Sequence, residues 1–381
     1  MTPEENEALT RVGPGTPGGE MLRRYWWPVF LSDDLKNEPV IVRHLGEDFV
    51  LFRDGKGHVG LLDKSCPHRG VSMEHGRVED TGIRCCYHGW LFDADGQCLE
   101  TPAEPVGSTL KDGVKMRAGQ VRELSGFVFA YTGPMPVPVL PKYDLLSRED
   151  MHREVWSKTD HCNWVQRAEN GADPYHSMSL HAPVYPSIAL KRAEVEWTET
   201  WYGCRQESHY PGELTNVSHQ IFPSSTRRHG ARVGTVPSEF FHIRVPTDDD
   251  LTTTFYVKAN AAAEGPYRLV SSGARKNVRG VYEKVDDGWW RVVSNEQDRA
   301  AQESQGLIYD RSKNETLGTS DRGVVMWRHM AFSSIKAVQE GRDPSGVVRD
   351  GDKNADQIIE FDASKNFSDS DRELGEERAL S

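Results

Sequence analysis

The chain lacks any run of about 18 apolar residues, so no segment reads as a bilayer-spanning helix. Its opening, MTPEENEALT, lacks the basic-then-apolar pattern of an export signal. Together these absences predict a cytoplasmic protein with no membrane partner. Positive charge is in deficit too: 46 Lys and Arg against 58 Asp and Glu leave a formal charge of -12. Nucleic acid is held by neutralising its phosphates with Lys and Arg, so it is excluded as an expected partner. Cysteine is scarce, with six in 381 residues, too few to staple a chain this long. Where thiols stay reduced, clustered cysteines beside histidines point to metal before disulfides.

What is present divides into regimes. A length of 381 residues suggests two or three domains at roughly 100–200 residues each. From Arg24 to Tyr131, short β-like runs (Val40 to His44, Asp48 to Phe52, Gly126 to Tyr131) alternate with turns such as Asp54-Gly55 and Asp95-Gly96. The segment Gly133-Pro134-Met135-Pro136-Val137-Pro138-Val139-Leu140-Pro141 can neither extend a helix nor join a central strand, and marks a connector. We therefore expect a β-rich domain over 25–133, a second domain over 142–361, and a charged, disordered tail over 362–381. In the second domain Thr159 to Leu180 reads as helical, residues 190 to 260 as strands, and Asn295 to about Gly306 as helix. Gly13-x-Gly15-x-x-Gly18 matches a dinucleotide fingerprint only as a string. It follows no predicted strand and carries Pro14 and Pro17, so no NAD or flavin site is expected and electrons must come from another protein.

Two constellations carry chemistry. Cys66-x-His68, sixteen residues, then Cys85-x-x-His88 give two short loops, each bringing one thiolate and one imidazole. Equal numbers of the two suit tetrahedral zinc or a Rieske [2Fe–2S] centre. The Cys-x-His order departs from zinc fingers, and Gly70 and Gly89 let backbone amides approach cluster sulfurs. The spacing makes Cys85 the ligand and Cys86 a buried neighbour, while Cys98, Cys162 and Cys204 read as small apolar residues. The second constellation is Asp173-x-x-His176-x4-His181. On a regular helix, positions five apart point about 140° from each other, so both imidazoles reach one metal only if the helix breaks between them. Two imidazoles and one carboxylate with open positions form the facial triad of non-haem Fe(II) oxygenases. Asp298 is the candidate carboxylate. Taken alone it reads first as a first-turn acid complementing a helix dipole, and only the rest of the pattern favours the ligand role.

The pair CPHRG and CCYHGW resembles the Rieske signature. The runs N-W-x-Q-x-x-E-N-x-x-D-P-x-H-x4-H, Q-D-x-x-x-Q-E-S-Q-G and E-x-L-G-T-S-D-R-G-V, with the opening R-V-G-P-G-T-P-G-G-E-M-L-R-R-Y-W-W-P-V, resemble Rieske-type ring-hydroxylating oxygenases of the phthalate dioxygenase-like, α-only branch. The resemblance implies an α+β chain: an all-β Rieske domain and a catalytic domain with a central antiparallel sheet flanked by helices. It implies that Cys66, His68, Cys85 and His88 hold the cluster and that His176, His181 and Asp298 hold the mononuclear Fe(II). Asp173 would bridge His176 to His88 across a subunit contact, and Asn170 would lie near the iron. Its spacing to Asp173 is one residue shorter than in some branches, and it reads alternatively as a helix end beside Gly171. The implied partners are a separate NAD(P)H-dependent reductase, with or without a ferredoxin, dioxygen, a small aromatic substrate in an apolar pocket beside the iron, and two further copies in a head-to-tail homotrimer. Cis-dihydroxylation of an aromatic carboxylate is the leading expectation, with monooxygenation or O- or N-demethylation the alternative. Trp164, Tyr175, Phe240, Phe241 and Tyr256 are candidate pocket residues, though core packing is the commoner role for each. Arg227-Arg228-His229 and Lys191-Arg192 could attract a carboxylate, with solvated surface the simpler reading.

Overall fold

The computed structural model describes residues 1–182, 189–210, 215–230, 238–260, 269–274, 282–284, 290–292, 296–352, 355 and 357–361. The charged tail and Asn295 therefore lie outside the described residues. Contacts divide the chain into two units, Arg23–Pro138 and Met1–Leu22 with Val139–Ser381.

The Arg23–Pro138 unit is built from ten strands: β1 (Trp27–Leu31), β2 (Val40–His44), β3 (Glu47–Arg53), β4 (Val59–Asp63), β5 (Arg77–Glu79), β6 (Gly82–Arg84), β7 (Leu91–Phe92), β8 (Cys98–Glu100), β9 (Ala118–Leu124) and β10 (Phe127–Tyr131). Six form an antiparallel sheet in the order β1-β10-β9-β4-β3-β2, and the four short ones form β5-β6-β7-β8. Apolar strand residues Val50, Phe52, Leu62, Ile83 and Phe92, with Met73 and Trp90 from the connecting loops, make a core into which Cys66 and Cys85 are packed. Two loops leave this core: one follows β4, and the other links β6 to β7.

The other unit opens with α1 (Pro3–Thr10), whose Thr2–Glu5 capping box satisfies free backbone amides at its start. It continues with α2 (Pro17–Leu22) and α3 (Asp144–Ser147). Its sheet runs through β11 (His152–Asp160), β12 (Glu194–Thr200), β13 (Gly203–His209), β14 (Asn216–Ile221), β15 (Ser225–Gly230), β16 (Ser238–Asp248), β17 (Leu251–Asn260) and β18 (Leu269–Ala274). The order is β12-β13-β14-β15-β16-β17-β11-β18. Every pairing is antiparallel except β11 with β18, so the expected antiparallel sheet carries one parallel edge. Two short strands, β19 (Tyr282–Lys284) and β20 (Trp290–Val292), pair antiparallel outside this sheet, and the unit also holds helices α4 (Trp164–Ala172), α5 (Ser177–Leu180), α6 (Gln297–Glu303) and α7 (Arg322–Gln339).

The helix expected over Thr159 to Leu180 is corrected. Residues 152–160 are strand, α4 begins only after its Asn163 cap, and it ends at Ala172. Proline at 174 disfavours helix at Asp173, which is extended. The later helix is also shorter than expected, Gln297–Glu303.

Candidate metal centres and substrate cavity

The loops at Cys66 and Cys85 share one hydrogen-bond frame. In each, the cysteine carbonyl accepts from the glycine amide four residues on, Gly70 at 2.8 Å and Gly89 at 3.1 Å. The cysteine amide donates to the carbonyl five residues on, Val71 at 2.9 Å and Trp90 at 2.8 Å. Closing that turn needs left-handed backbone, and the glycines supply it at φ 77° and 75°. The histidine sits one place later in the second loop, so the two rings meet edge-on with centroids 4.3 Å apart. Trp90 stacks flat on His68 at 4.4 Å and 6°. Burial, with Cys85 alongside, pushes the Cys66 thiol up to about 11. Burial, then the neighbouring His68 and Arg69, lower His88. Among the described residues, His68 Nδ1 and His88 Nδ1 are buried with no hydrogen-bond partner. Two thiols and two orphaned ring nitrogens fit a Rieske cluster, which supplies each of them a bond. Cys86 is exposed; the expectation of a buried neighbour is corrected, because the frame buries Cys85 and turns the next residue outward.

His176 and His181 flank α5, one at each of its caps. The break at Asp173-Pro174 frees this short turn from α4, and its two ends direct both rings to Asp298. Asp298 Oδ1 lies 3.4 Å from His176 Nε2 and 3.2 Å from His181 Nε2. The three side chains place one ligand atom each within 4.8 Å of one another, close enough to share one divalent ion. Burial works against the Asp298 charge, yet the neighbouring His181 and His176 hold its carboxyl well below the usual range. For His176, burial opposes the charge while Asp173 and Asp298 raise its basicity. Asp173 Oδ2 is 3.6 Å from His176 Nδ1, and its other oxygen accepts from the Tyr175 amide at 2.8 Å. Asn170 Nδ2 lies 3.5 Å from both His176 Nε2 and Asp298 Oδ1. Every residue expected at this second site is thus brought together. Sequence reasoning missed Gln297, whose Oε1 is 2.8 Å from His181 Nδ1; its adjacency to Asp298 was the available signal.

Two polar residues of α4 tie it to the end of α6 and to the chain that follows. Gln166 donates to the carbonyls of Gln302 at 2.9 Å and Gly306 at 3.0 Å, and accepts from the Tyr309 amide. Glu169 receives Arg311 at 2.8 Å and Arg328 at 2.7 Å. Helix α6 therefore presents Asp298 from a fixed position.

A cavity adjoins the trio, lined by Asn170, Asp173, His176 and Asp298 and by polar residues of four neighbouring strands. Period-two pairs supply the strand wall: Gln206 and Ser208, Ser218 and Gln220, Thr226 and Arg228, His242 and Arg244. Register sets Gln206 opposite Ser218, Gln220 opposite Thr226 and Thr226 opposite His242, so these side chains share one sheet face. The apolar pocket expected here is corrected to a polar one. Trp164 is instead core, edge-on to Trp327, and Phe241 is fully buried, whereas Tyr256 stacks on Trp156 and meets His242 edge-on. Arg227 is buried against Asp144 and Glu239 rather than solvated. Arg244 is buried, donates to Thr226 Oγ1 at 2.7 Å, and has no carboxylate partner among the described residues. Burial lowers it to about 10, with Arg167 adding to the effect, so it stays cationic at neutral pH. Burial, then the surrounding Arg244 and Arg228, push His242 well below its ordinary value.

The Rieske [2Fe-2S] domain model matches residues 25–116. Over 374 aligned residues the chain is 34% identical to the 5,5'-dehydrodivanillate O-demethylase oxygenase subunit of Sphingobium sp. (strain NBRC 103272 / SYK-6), covering 92% of this chain and 84% of that one. The chain belongs to the Rieske-type non-haem iron oxygenases. This oxygenase subunit is also 33% identical to phenoxybenzoate dioxygenase subunit alpha of Ectopseudomonas oleovorans, over 96% of its own length and 92% of the relative. Its fold matches the NdmA QL mutant of Pseudomonas putida CBB5 with caffeine, at a TM-score of 0.68 and 18% identity, covering 91% and 99% of the two chains. The oxygenase's cofactors are a Rieske [2Fe–2S] cluster and a mononuclear iron. No described helix is long and apolar enough to cross a membrane.

Proposed function

We propose that the chain is the terminal oxygenase that hydroxylates an aromatic carboxylate, with Cys66, His68, Cys85 and His88 holding the cluster and His176, His181 and Asp298 holding the iron. In this reading residues 25–133 are the Rieske domain, 142–361 the catalytic domain and 362–381 a disordered tail. The observation that carries it is the convergence of two imidazoles and one carboxylate, each ligand atom within 4.8 Å of the others, in a chain that also holds the paired cysteine–histidine loops. When bound, the centres supply one-electron storage and dioxygen activation. The chain's own residues do the rest. Asp173 orients His176 and receives the electron path from His88 of the partner subunit in a homotrimer. Asn170 lies against the ligand atoms of both His176 and Asp298 and donates to the Asp298 carboxylate, restraining where it stands. Arg244 is the anchor for the substrate carboxylate, because a buried guanidinium without an acidic partner favours an anion arriving with the substrate. Electrons come from a separate NAD(P)H-dependent reductase in the cytoplasm.

Cis-dihydroxylation is the first reading. Oxidative O-demethylation is the second, favoured by the 34% identity to a demethylase oxygenase subunit. The test is Asp298→Ala with a surrogate reductase and a panel of aromatic carboxylates and their methyl ethers. Substrate oxidation should vanish while Rieske absorbance and EPR stay intact. Near-normal turnover in the variant would remove Asp298 from the ligand set. In the native chain, diol and phenol products separate the two readings by mass.

A further inference from the structure

We infer that Gln297 is a positioning residue that fixes which nitrogen of His181 faces the iron, an inference that rests on the ligand assignment above. Gln297 is 3% exposed, and its Oε1 stands 2.8 Å from His181 Nδ1. An amide oxygen can only accept, so the ring proton is held on Nδ1 and the Nε2 lone pair is left pointing toward Asp298 Oδ1, 3.2 Å away. The two imidazoles are supported unequally. His176 faces a carboxylate, Asp173, at 3.6 Å, whereas His181 faces a neutral amide at full hydrogen-bond contact. An amide has no pKa in the working range, so this orientation does not change with pH or with the charge state of the electron bridge. Position adds to the argument. Gln297 is the first residue of α6 and precedes Asp298, so a single turn delivers one ligand and the support of another. Any movement of α6 shifts both together, and their mutual geometry is preserved.

The test uses the full-length holoprotein and two variants, Gln297→Met, which keeps the volume but removes the acceptor, and Gln297→Glu, which keeps the acceptor. Iron and sulfide are quantified before and after a graded chelator challenge, with the Rieske spectrum as internal control. Gln297→Met should release the iron that exceeds the cluster's pair at roughly 10–100-fold lower chelator concentration, with sulfide and Rieske spectrum unchanged. Gln297→Glu should retain that iron as the native chain does. Native retention in Gln297→Met, or equal loss in both variants, would overturn the proposal, the latter assigning the effect to packing. A native chain holding only the cluster's iron would overturn the ligand assignment and this inference with it, an outcome distinct from the other two.

Discussion

Replacing Glu169 by Gln removes the charge that two guanidiniums share. Arg311, whose side chain is 0% exposed, meets Glu169 through Nη2 at 2.8 Å and Nε at 3.0 Å. Arg328 donates to it at 2.7 Å but keeps a second carboxylate, Glu315, at 2.5 and 2.6 Å. The substitution therefore strands Arg311 and leaves Arg328 paired. Breaking a buried pair from one side costs about 3–5 kcal/mol, because a desolvated charge remains. For a unit of this size, each kcal/mol lowers the midpoint by roughly 2–4 °C, giving a drop of about 6–20 °C. Differential scanning calorimetry of the holoprotein reads the shift, while Rieske absorbance follows the other unit. The cause is isolated by Glu169→Gln combined with Arg311→Met, which removes the stranded charge and should recover most of the loss. A midpoint within about 2 °C of native for the single variant, or no recovery in the double, would refute the reasoning.

Two further outcomes follow from the geometry. Arg244→Met should raise KM for a carboxylate substrate by roughly 10–150-fold, the value of a hydrogen bond to a charged group, and leave an uncharged analogue unaffected; equal effects on both would remove Arg244 as the anchor. Gly323→Ala places a Cβ 2.2 Å from the Ala172 carbonyl oxygen, forcing α7 away from the end of α4. Urea unfolding should show a loss of about 1–3 kcal/mol, and an unchanged midpoint would contradict the close approach.

The candidate metal ligands were legible because their chemistry constrains both residue type and spacing: thiol with imidazole at Cys66, His68, Cys85 and His88, and the proline at 174 that breaks the helix where two rings converge. The wall of the cavity was not legible. Alternation along β13 to β16 separates two faces of a sheet but does not say which one meets solvent. Nothing in the sequence singles out Gln206, Ser218, Gln220 and Thr226; only the register brings them to one face beside Asp298. Gln166 and Glu169 were visible as part of a motif but not as supports, since their partners, Gln302, Gly306, Tyr309, Arg311 and Arg328, lie more than a hundred residues downstream. Cys86 was misplaced because spacing alone tells which of two adjacent cysteines binds, not where the other one turns.

The strand floor beside His176 and Asp298 has an evolutionary consequence. Its main chain is knitted by ladder bonds that are indifferent to side-chain identity, and its outward members occur at every other position on four neighbouring strands. Exchanging one of them alters what the chamber accepts while leaving the weave intact. A lineage could therefore drift from one small molecule to another through a handful of point changes, with the machinery that handles electrons and oxygen carried along untouched.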